Sequence, residues 1–489
     1  MFTTSNATRS IRGWMTGVGP VVLSLLAVTS VWFPTSLRAQ DSRLDSQVRE
    51  SIRLLSKTLD GADVSRGAVP ASPSKVDPNY FFHWTRDAAV VLDAYVTAYA
   101  RTRDSRARGE VLLRLLGWVE FETRLQGVRN RSGGQGEPKF MISGDPYNGE
   151  WGRPQNDGPA LRAIVMTRLA NLLLDEGQES LVRNSFYGGR IPPIGPIKVD
   201  LEYTAHHWTE ASYDLWEEVK GSHFYTRIVQ RRALLDGAKL ADRLGDPGAA
   251  DFYRQQARLI STALLGHMQQ GLVMPTLDRV AGWSHKVTNL DVAVVLGALH
   301  GFDANDDFFA PSSDWIVSSA AKLEDSFLQI YPLNRDQRPA PAIGRYPEDV
   351  YDGTGFTGGN PWFLATNAYA EMTCRLAQKW EARGVIEIND LNRSFLSRLY
   401  PNLPSAGRLS FSVRRGEALF DRMVQGARTR AEGYLQRTVK HNDQGPVGHI
   451  SEQFSRNNGY MLGAPDLSWS YASFISAYVA CYNWLPRVR

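Results

Sequence analysis

The side chains in this sequence with the types and spacing to do chemistry are carboxylates set among aromatic rings. Asp214-Leu215-Trp216-Glu217-Glu218-Val219 places three acids around a tryptophan. Apolar surroundings raise a carboxyl pKa and keep its proton available for transfer. The same spacing fits an acidic helix start, where Asp and Glu favour the first turn. Adjacent side chains on a helix diverge by about 100°, so Glu217 and Glu218 would serve two roles rather than one. Phe81-Phe82-His83-Trp84-Thr85-Arg86-Asp87 joins rings to an Arg-Asp pair. It fits an aromatic core entry with a helix-terminal ion pair. It also fits a sugar pocket, where rings pack on the apolar sugar face and charged groups bind hydroxyls strongly. Gly149-Glu150-Trp151-Gly152-Arg153-Pro154-Gln155-Asn156-Asp157-Gly158-Pro159 mixes Gly, Pro, Trp and charge as a shaped loop does. Gly344-Arg345-Tyr346-Pro347-Glu348-Asp349-Val350-Tyr351 is a second such loop and leads into Asn360-Pro361-Trp362. Ser451-Glu452-Gln453-Phe454 reads by itself as an ordinary loop with an acid, although functional residues do concentrate on loops.

Other chemistries lack their residues. There is no GxSxG, P-loop or HExxH. The nine histidines are scattered, apart from His206-His207. The two cysteines, Cys374 and Cys481, form no CxxC and no zinc spacing, so the fold must rest on its core. An exported chain could pair them, given Cα atoms within about 7 Å.

Helices must position these loops. Apolar periodicity near 3.6 dominates and strand-like alternation is scarce. Leu112, Leu115, Leu116 and Val119 make one stripe. Leu161, Val165, Leu169 and Leu172 make another, with Pro159 in the first turn. Trp362, Ala365, Tyr369, Met372 and Leu376 make a third, with Asn360 as the expected N-cap. Leu467, Tyr471, Phe474, Tyr478 and Cys481 make a fourth, with Asp466 as the expected cap. Further helices are expected near 45–57, 86–101, 226–243, 249–268, 287–300 and 414–436. Long loops are expected at 61–82, 127–158, 184–213, 302–312 and 335–361. Long loops in a compact protein are usually functional, and their recurrence between helix pairs suggests loops gathered at one end of a helical barrel. No linker separates large domains and no sequence repeat stands out.

The 489 residues allow several domains or one large α-barrel. Hydrophobic residues at 43% and charged residues at 22% exclude a disordered chain and a polytopic membrane protein. Thirteen tryptophans favour a ring-stacking surface. The net charge of +4 resides mostly at the start, where residues 1–39 carry Arg9, Arg12 and Arg38 and no acid. Beyond them 52 basic residues face 51 acidic ones, which argues against nucleic acid as a partner. Residues 1–39 read as an export signal: an arginine-bearing start, an uncharged stretch from Gly13 to Leu37, and Leu37-Arg38-Ala39 as a cleavage site. An uncleaved anchor is the alternative. If the signal is cleaved, the expectation is a secreted or periplasmic monomer without stable membrane association.

Taken together these segments resemble glycoside hydrolase family 15, the glucoamylase family. The resemblance runs in order from about Tyr80 to Trp484. It rests on Trp84-Thr85-Arg86-Asp87, Gly136-Glu137-Pro138-Lys139-Phe140, Trp151-Gly152-Arg153-Pro154-Gln155, Asp214 to Val219, Gly344 to Asp349, Asn360-Pro361-Trp362-Phe363-Leu364 and Leu467-Ser468-Trp469-Ser470-Tyr471. It implies an all-α fold, an (α/α)6 barrel with long loops forming a pocket at one end, and exo attack on a chain end. By position, Glu217 matches the general acid and Glu452 the general base. Asp214 and Glu218 match neighbours of the acid, with Glu218 on hydroxyls of the leaving-group side. Arg86, Asp87 and Arg345 match groups that hold the terminal glucose. Tyr80, Trp84, Trp216, Trp362 and Trp469 match walls of the sugar sites, and Tyr147 and Trp151 lie near the rim. The implied reaction is single displacement with inversion, its two carboxyls about 6.5–9.5 Å apart. The implied partners are starch, maltodextrin or a related α-glucan, with no metal or cofactor.

Three departures from the fungal pattern shape the expectations. The chain ends shortly after Trp484, so 40–489 is expected to be a single catalytic domain without a starch-binding domain. The loop from Asp352 to Gly359 is longer, closer to the yeast-type enzymes. His83 precedes Trp84 and is expected to pack or hydrogen-bond. Related branches cleave isomaltosaccharides, dextran or trehalose, and a non-catalytic glucan-binding protein is a further alternative, against which the presence of both Glu217 and Glu452 argues. Asn130 and Asn392 open N-x-Ser sequons.

Overall fold

The computed structural model describes residues 42–189, 191–403, 410–443 and 445–485, so the expected export signal lies outside the described residues. Among them are fourteen α-helices. They are α1 (Ser42–Leu59), α2 (Thr85–Arg101), α3 (Ser105–Gln126), α4 (Gly158–Asp175), α5 (Glu179–Ser185), α6 (Pro196–His207), α7 (Phe224–Arg243), α8 (Pro247–Leu265), α9 (Ala293–His300), α10 (Asp314–Ile330), α11 (Phe363–Arg383), α12 (Arg393–Leu399), α13 (Ala418–Asn442) and α14 (Ser468–Tyr482). Helices α2, α4, α7, α9, α11 and α14 pack in that order, and α14 packs back on α2 to close a ring. Helices α1, α3, α6, α8, α10 and α13 flank this ring, so outer and inner helices alternate along the chain. This is the expected all-α barrel of six helical hairpins.

Sequence explains which helix goes where. α1 buries Leu44, Val48, Leu55 and Leu59 on one stripe and turns charge outward, as a helix with one covered face does. α14 buries Trp469, Tyr471, Phe474, Ile475 and Tyr478 around most of its circumference, as an inner helix must. α4 starts as expected, with Pro159 in its first turn and the Asp157 carboxylate accepting from Gly158 N. Cys374 on α11 and Cys481 on α14 are joined by a disulfide, with Cα atoms 5.1 Å apart.

Several expectations are corrected. Asn360 and Asp466 are not helix caps. Trp362 occupies the N-cap of α11, and Phe363 N donates instead to the Glu452 carbonyl at 3.3 Å. Leu467 occupies the N-cap of α14, and Ser468 N donates to the Ala71 carbonyl. Backbone from distant loops thus satisfies these free N–H groups. α6 lies inside the expected loop 184–213, where Pro196 starts a helix and the prolines before it hide the pattern. α10 was missing from the expected helices, although Ile316, Ala320, Leu323 and Phe327 carry its apolar spacing. α9 begins at Ala293, not near 287. Asn392 is buried with its amide bonded to Asp314 and Glu387, so the second sequon is occupied by the fold. Among the described residues no helix is long and apolar enough to cross a membrane.

Candidate active site

The site residues gather where chain segments enter the inner helices. β1 (Phe82–Trp84) pairs antiparallel with β2 (Lys139–Met141) and delivers Trp84 to the start of α2, whose first turn holds Arg86 and Asp87. β3 (Ser212–Tyr213) and β4 (Val219–His223) form a hairpin whose turn carries Asp214, Trp216, Glu217 and Glu218. The acidic segment is therefore a turn, which corrects the helix-start reading. Asp214 N bonds the Val219 carbonyl and Glu217 N bonds the Asp214 carbonyl, both at 2.9 Å. The Asp214 carboxylate accepts from Glu218 N and Val219 N. Glu217 has φ 67°, a left-handed conformation that costs a non-glycine residue roughly 1–2 kcal/mol. Glu217 and Glu218 diverge through this left-handed residue rather than through helical periodicity.

Glu217 Oε1 accepts from the Trp84 indole N–H at 2.8 Å and from the Gln155 amide at 3.0 Å. Arg86 lies 3.6 Å from the same oxygen. Arg86 donates to Gln155 at 2.7 Å and to Asp157 at 3.2 Å, and approaches Asp87 at 3.4 Å. Burial opposes the charge on Arg86, but Asp157, Asp87 and Glu217 more than offset this and raise its pKa. Burial pushes Asp87 up to about 6 against the pull of Arg86.

Glu452 sits on the strand-like segment that bridges to Trp362 through Gln453. Its carboxylate accepts from the Tyr351 hydroxyl at 3.3 Å, and the Tyr351 and Tyr80 hydroxyls lie 2.9 Å apart. Tyr80 packs on Trp84 at 5.7 Å between ring centroids. A chain of contacts therefore runs from Glu452 through Tyr351, Tyr80 and Trp84 to Glu217. Burial pushes Glu452 up to about 7, with Tyr80 and Arg345 pulling the other way. Gly463, at φ 70°, passes so close that a Cβ there would sit 2.3 Å from Glu452 Oε2.

A charged network backs the turn. Glu218 pairs with Arg345 at 2.9 Å and accepts from Tyr346 at 2.6 Å. Arg345 also makes a two-pronged bond to Asp349, at 2.8 and 2.6 Å, and faces the rings of Trp216, Tyr351 and Trp362. Lys286 lies 3.2 Å from Asp214, 3.4 Å from Glu218 and 3.2 Å from Asp291. Burial opposes its charge, yet these three carboxylates hold its pKa above the ordinary lysine value. Asp291 in turn accepts the Trp216 indole N–H at 2.9 Å. Trp216 and Trp362 pack at 5.6 Å.

Tyr147 and Trp151 join Phe82 and Trp84 around Lys139, whose ammonium lies 3.6 Å from the Trp151 ring centre and 4.0–4.5 Å from the other three. Trp469 is buried at the start of α14, 6.0 Å from Arg86 on one side and 6.0 Å from the His300 ring on another. His83 lies beneath the site. Its Nδ1 accepts from Val69 N and its Nε2 faces Glu122 at 3.0 Å, as the hydrogen-bonding reading expects.

Sequence reasoning missed Gln155, Lys286, Asp291, Asp349, Tyr351 and the cage around Lys139. Gln155, Asp349, Tyr351 and Lys139 stood inside segments singled out for other residues. Lys286 and Asp291 stood in no such segment and act through partners more than 60 residues away, or on the neighbouring turn of chain, which spacing does not reveal. Trp151 Nε1 and Trp362 Nε1 are buried without a hydrogen-bond partner among the described residues, and Arg86 Nε and Asp87 Oδ2, also buried, meet only each other, at 3.4 Å.

A sequence pattern described as "Glycosyl hydrolases family 15" matches residues 54–479. The chain belongs to this family. A glucoamylase of Blastobotrys adeninivorans is 34% identical over 441 residues, covering 88% of this chain and 70% of its own length. A probable glucoamylase of Schizosaccharomyces pombe is 34% identical over 424 residues, covering 85% of each. Among solved structures, the family 15 glucoamylase of Hypocrea jecorina superposes with a TM-score of 0.80 at 34% identity, over 91% of this chain and 72% of that one. The glucoamylase of Saccharomycopsis fibuligera gives 0.79 at 28% identity, over 90% and 95%. The family likeness thus spans the barrel and the site loops together.

Proposed function

We propose that this chain is an exo-acting, inverting α-glucosidase that releases β-D-glucose from non-reducing ends of α-1,4-glucans, and more slowly cleaves α-1,6 bonds. The observation that carries this reading is a ring-walled site holding two carboxylic acids, with the indole N–H groups of Trp151 and Trp362 unpartnered among the described residues and Arg86 Nε and Asp87 Oδ2 paired only with each other at 3.4 Å. Buried polar groups are normally paired, and sugar hydroxyls would pair these while the tryptophan faces cover the apolar face of the ring.

Glu217 is the general acid. Its Oε1 is held by the N–H groups of Trp84 and Gln155, which fixes the carboxyl's orientation and leaves Oε2 as the oxygen that delivers the proton. That proton passes to the glycosidic oxygen as the bond breaks toward an oxocarbenium-like transition state. Glu452 is the general base. It takes a proton from the water attacking the opposite face, and one displacement inverts the anomeric carbon. Burial, by pushing Glu452 up to about 7, matches a base to a near-neutral operating range. Arg86 and Asp87 bind hydroxyls of the terminal glucose. Glu218 lies on the leaving-group side, Lys286 holds the turn, and Arg345, anchored by Glu218 and Asp349, joins Arg86 and Asp87 in holding the terminal glucose. The export signal at 1–39 goes with action on glucans outside the cytoplasm.

The test is the product pattern from maltoheptaose. The proposal expects glucose and shortened chains in steps of one residue, with maltose cleaved faster than isomaltose or trehalose. Internal fragments such as maltotriose as first products would refute exo attack. Preferential cleavage of trehalose or isomaltose would reassign the substrate.

A further inference from the structure

A cavity of about 430 Å³ runs along the barrel axis behind the site, within the roughly 300–1,000 Å³ of small-molecule pockets. Trp469 separates it from Arg86 and the catalytic side. Its walls are the inner helices, as far as Arg101 at the end of α2 and His300 at the end of α9. The side chains of Asp93, Arg168 and Arg375 keep 38%, 34% and 31% exposure. Four arginines line it, Arg101, Arg168, Arg232 and Arg375, with two acids, Asp93 and Glu371; a third acid, Asp236, pairs with Arg232, so Arg101, which donates to Asn483, is the one without a carboxylate among the described residues.

Both acids are already engaged, Asp93 by Arg168 and Glu371 by Arg375 at 3.0 Å. Arg232 pairs with Asp236 through Nε, leaving its terminal nitrogens without a partner among the described residues. Arg375 Nε is buried with no hydrogen-bond partner among them. His300 also borders the cavity; burial, and then Arg86, lower its pKa to about 4, so it adds no charge at neutral pH. Arg232 and Arg375 thus keep N–H groups beyond their one carboxylate each, and planar guanidinium forks match phosphate oxygens.

We infer that this cavity is a second binding site, distinct from the catalytic pocket, for a small phosphate-class anion held by Arg168, Arg232 and Arg375. A free phosphate ion and a phosphorylated sugar share this chemistry, and the apolar wall of Leu299 and Phe302 leaves room for the larger one.

The test is calorimetric titration of the full chain at low chloride with inorganic phosphate, glucose 6-phosphate and glucose. The expected result is saturable binding of phosphate, weakened at least tenfold in Arg232→Gln and Arg375→Gln. Glu371→Gln removes a competing carboxylate and should tighten binding several-fold, an effect that general destabilisation would not produce. Maltose hydrolysis should keep its kcat and KM in all three variants and at saturating phosphate. Tighter binding of glucose 6-phosphate than of phosphate would identify the sugar ester as the source; equal or weaker binding would identify the free ion. Binding of phosphate no tighter than chloride, affinity unchanged by the variants, or binding of glucose in preference to phosphate would each overturn the inference.

Discussion

Replacing Glu452 by glutamine separates the cost of burying this carboxyl from its part in the reaction. Burial raises Glu452 from an ordinary 4.5 to about 7. Below pH 4.5 the group is neutral in folded and unfolded chains alike and imposes no charge on the fold. Between pH 4.5 and 7 the unfolded chain ionises first, so the fold loses stability as pH rises. Above pH 7 the folded group is ionised too and the loss levels off. Each pH unit in that window is worth about 1.36 kcal/mol, which gives a total of about 3 kcal/mol. Glutamine mimics the neutral form at every pH. Urea unfolding at pH 4 and pH 8 should therefore give similar stabilities for wild type and Glu452→Gln at pH 4. At pH 8 the variant should be the more stable by up to about 3 kcal/mol, while its kcat falls by about 10²–10⁴. A stability difference that does not change with pH would refute the reasoning. So would a variant less stable than wild type at pH 8.

Three further outcomes follow from the same geometry. With α-glucosyl fluoride, whose leaving group needs no proton, Glu217→Gln should retain turnover within about tenfold, whereas Glu452→Gln should lose about 10²–10⁴; the reverse pattern would exchange the two roles. Lys286→Met leaves Asp214, Glu218 and Asp291 around an uncharged side chain, and removing one partner of a buried ion pair costs about 3–5 kcal/mol. A loss below 1 kcal/mol in urea unfolding at pH 7 would contradict the network. The disulfide Cys374–Cys481 spans 107 residues, so Cys374→Ala/Cys481→Ala should lose about 2–5 kcal/mol; an unchanged unfolding midpoint would show that the bridge adds nothing.

The barrel was legible where an apolar stripe and a start signal coincide. α4 shows both, with its leucine stripe and Pro159. α10 carries both as well, with Ser313 accepting from Ile316 N, but its start is continuous with a run dense in Asp, Phe and Ser that reads as loop. α6 was hidden by the prolines that introduce it. The catalytic segments stood out because shaped loops concentrate Gly, Pro and Trp in ways a core does not. Their conformation did not stand out. The acids of Asp214 to Glu218 read as a helix start because charge pattern carries no sign of a left-handed residue at Glu217. Tertiary partners were least legible: Lys286 meets Asp214 and Glu218, and Trp216 meets Asp291, across more than 60 residues of chain. Lys139 lies in one of the resembling motifs, yet its four rings come from two other segments, 82–84 and 147–151.

The account rests on a single inverting displacement between Glu217 and Glu452, and the anomer of the first product tests it directly. The protein should be mixed with maltoheptaose and followed by proton NMR from the first minute, before mutarotation blurs the signal, with Glu217→Gln and Glu452→Gln alongside. The account predicts β-D-glucose first, with release greatly reduced in both variants. α-D-glucose as the first product would contradict inversion and remove the role given to Glu452.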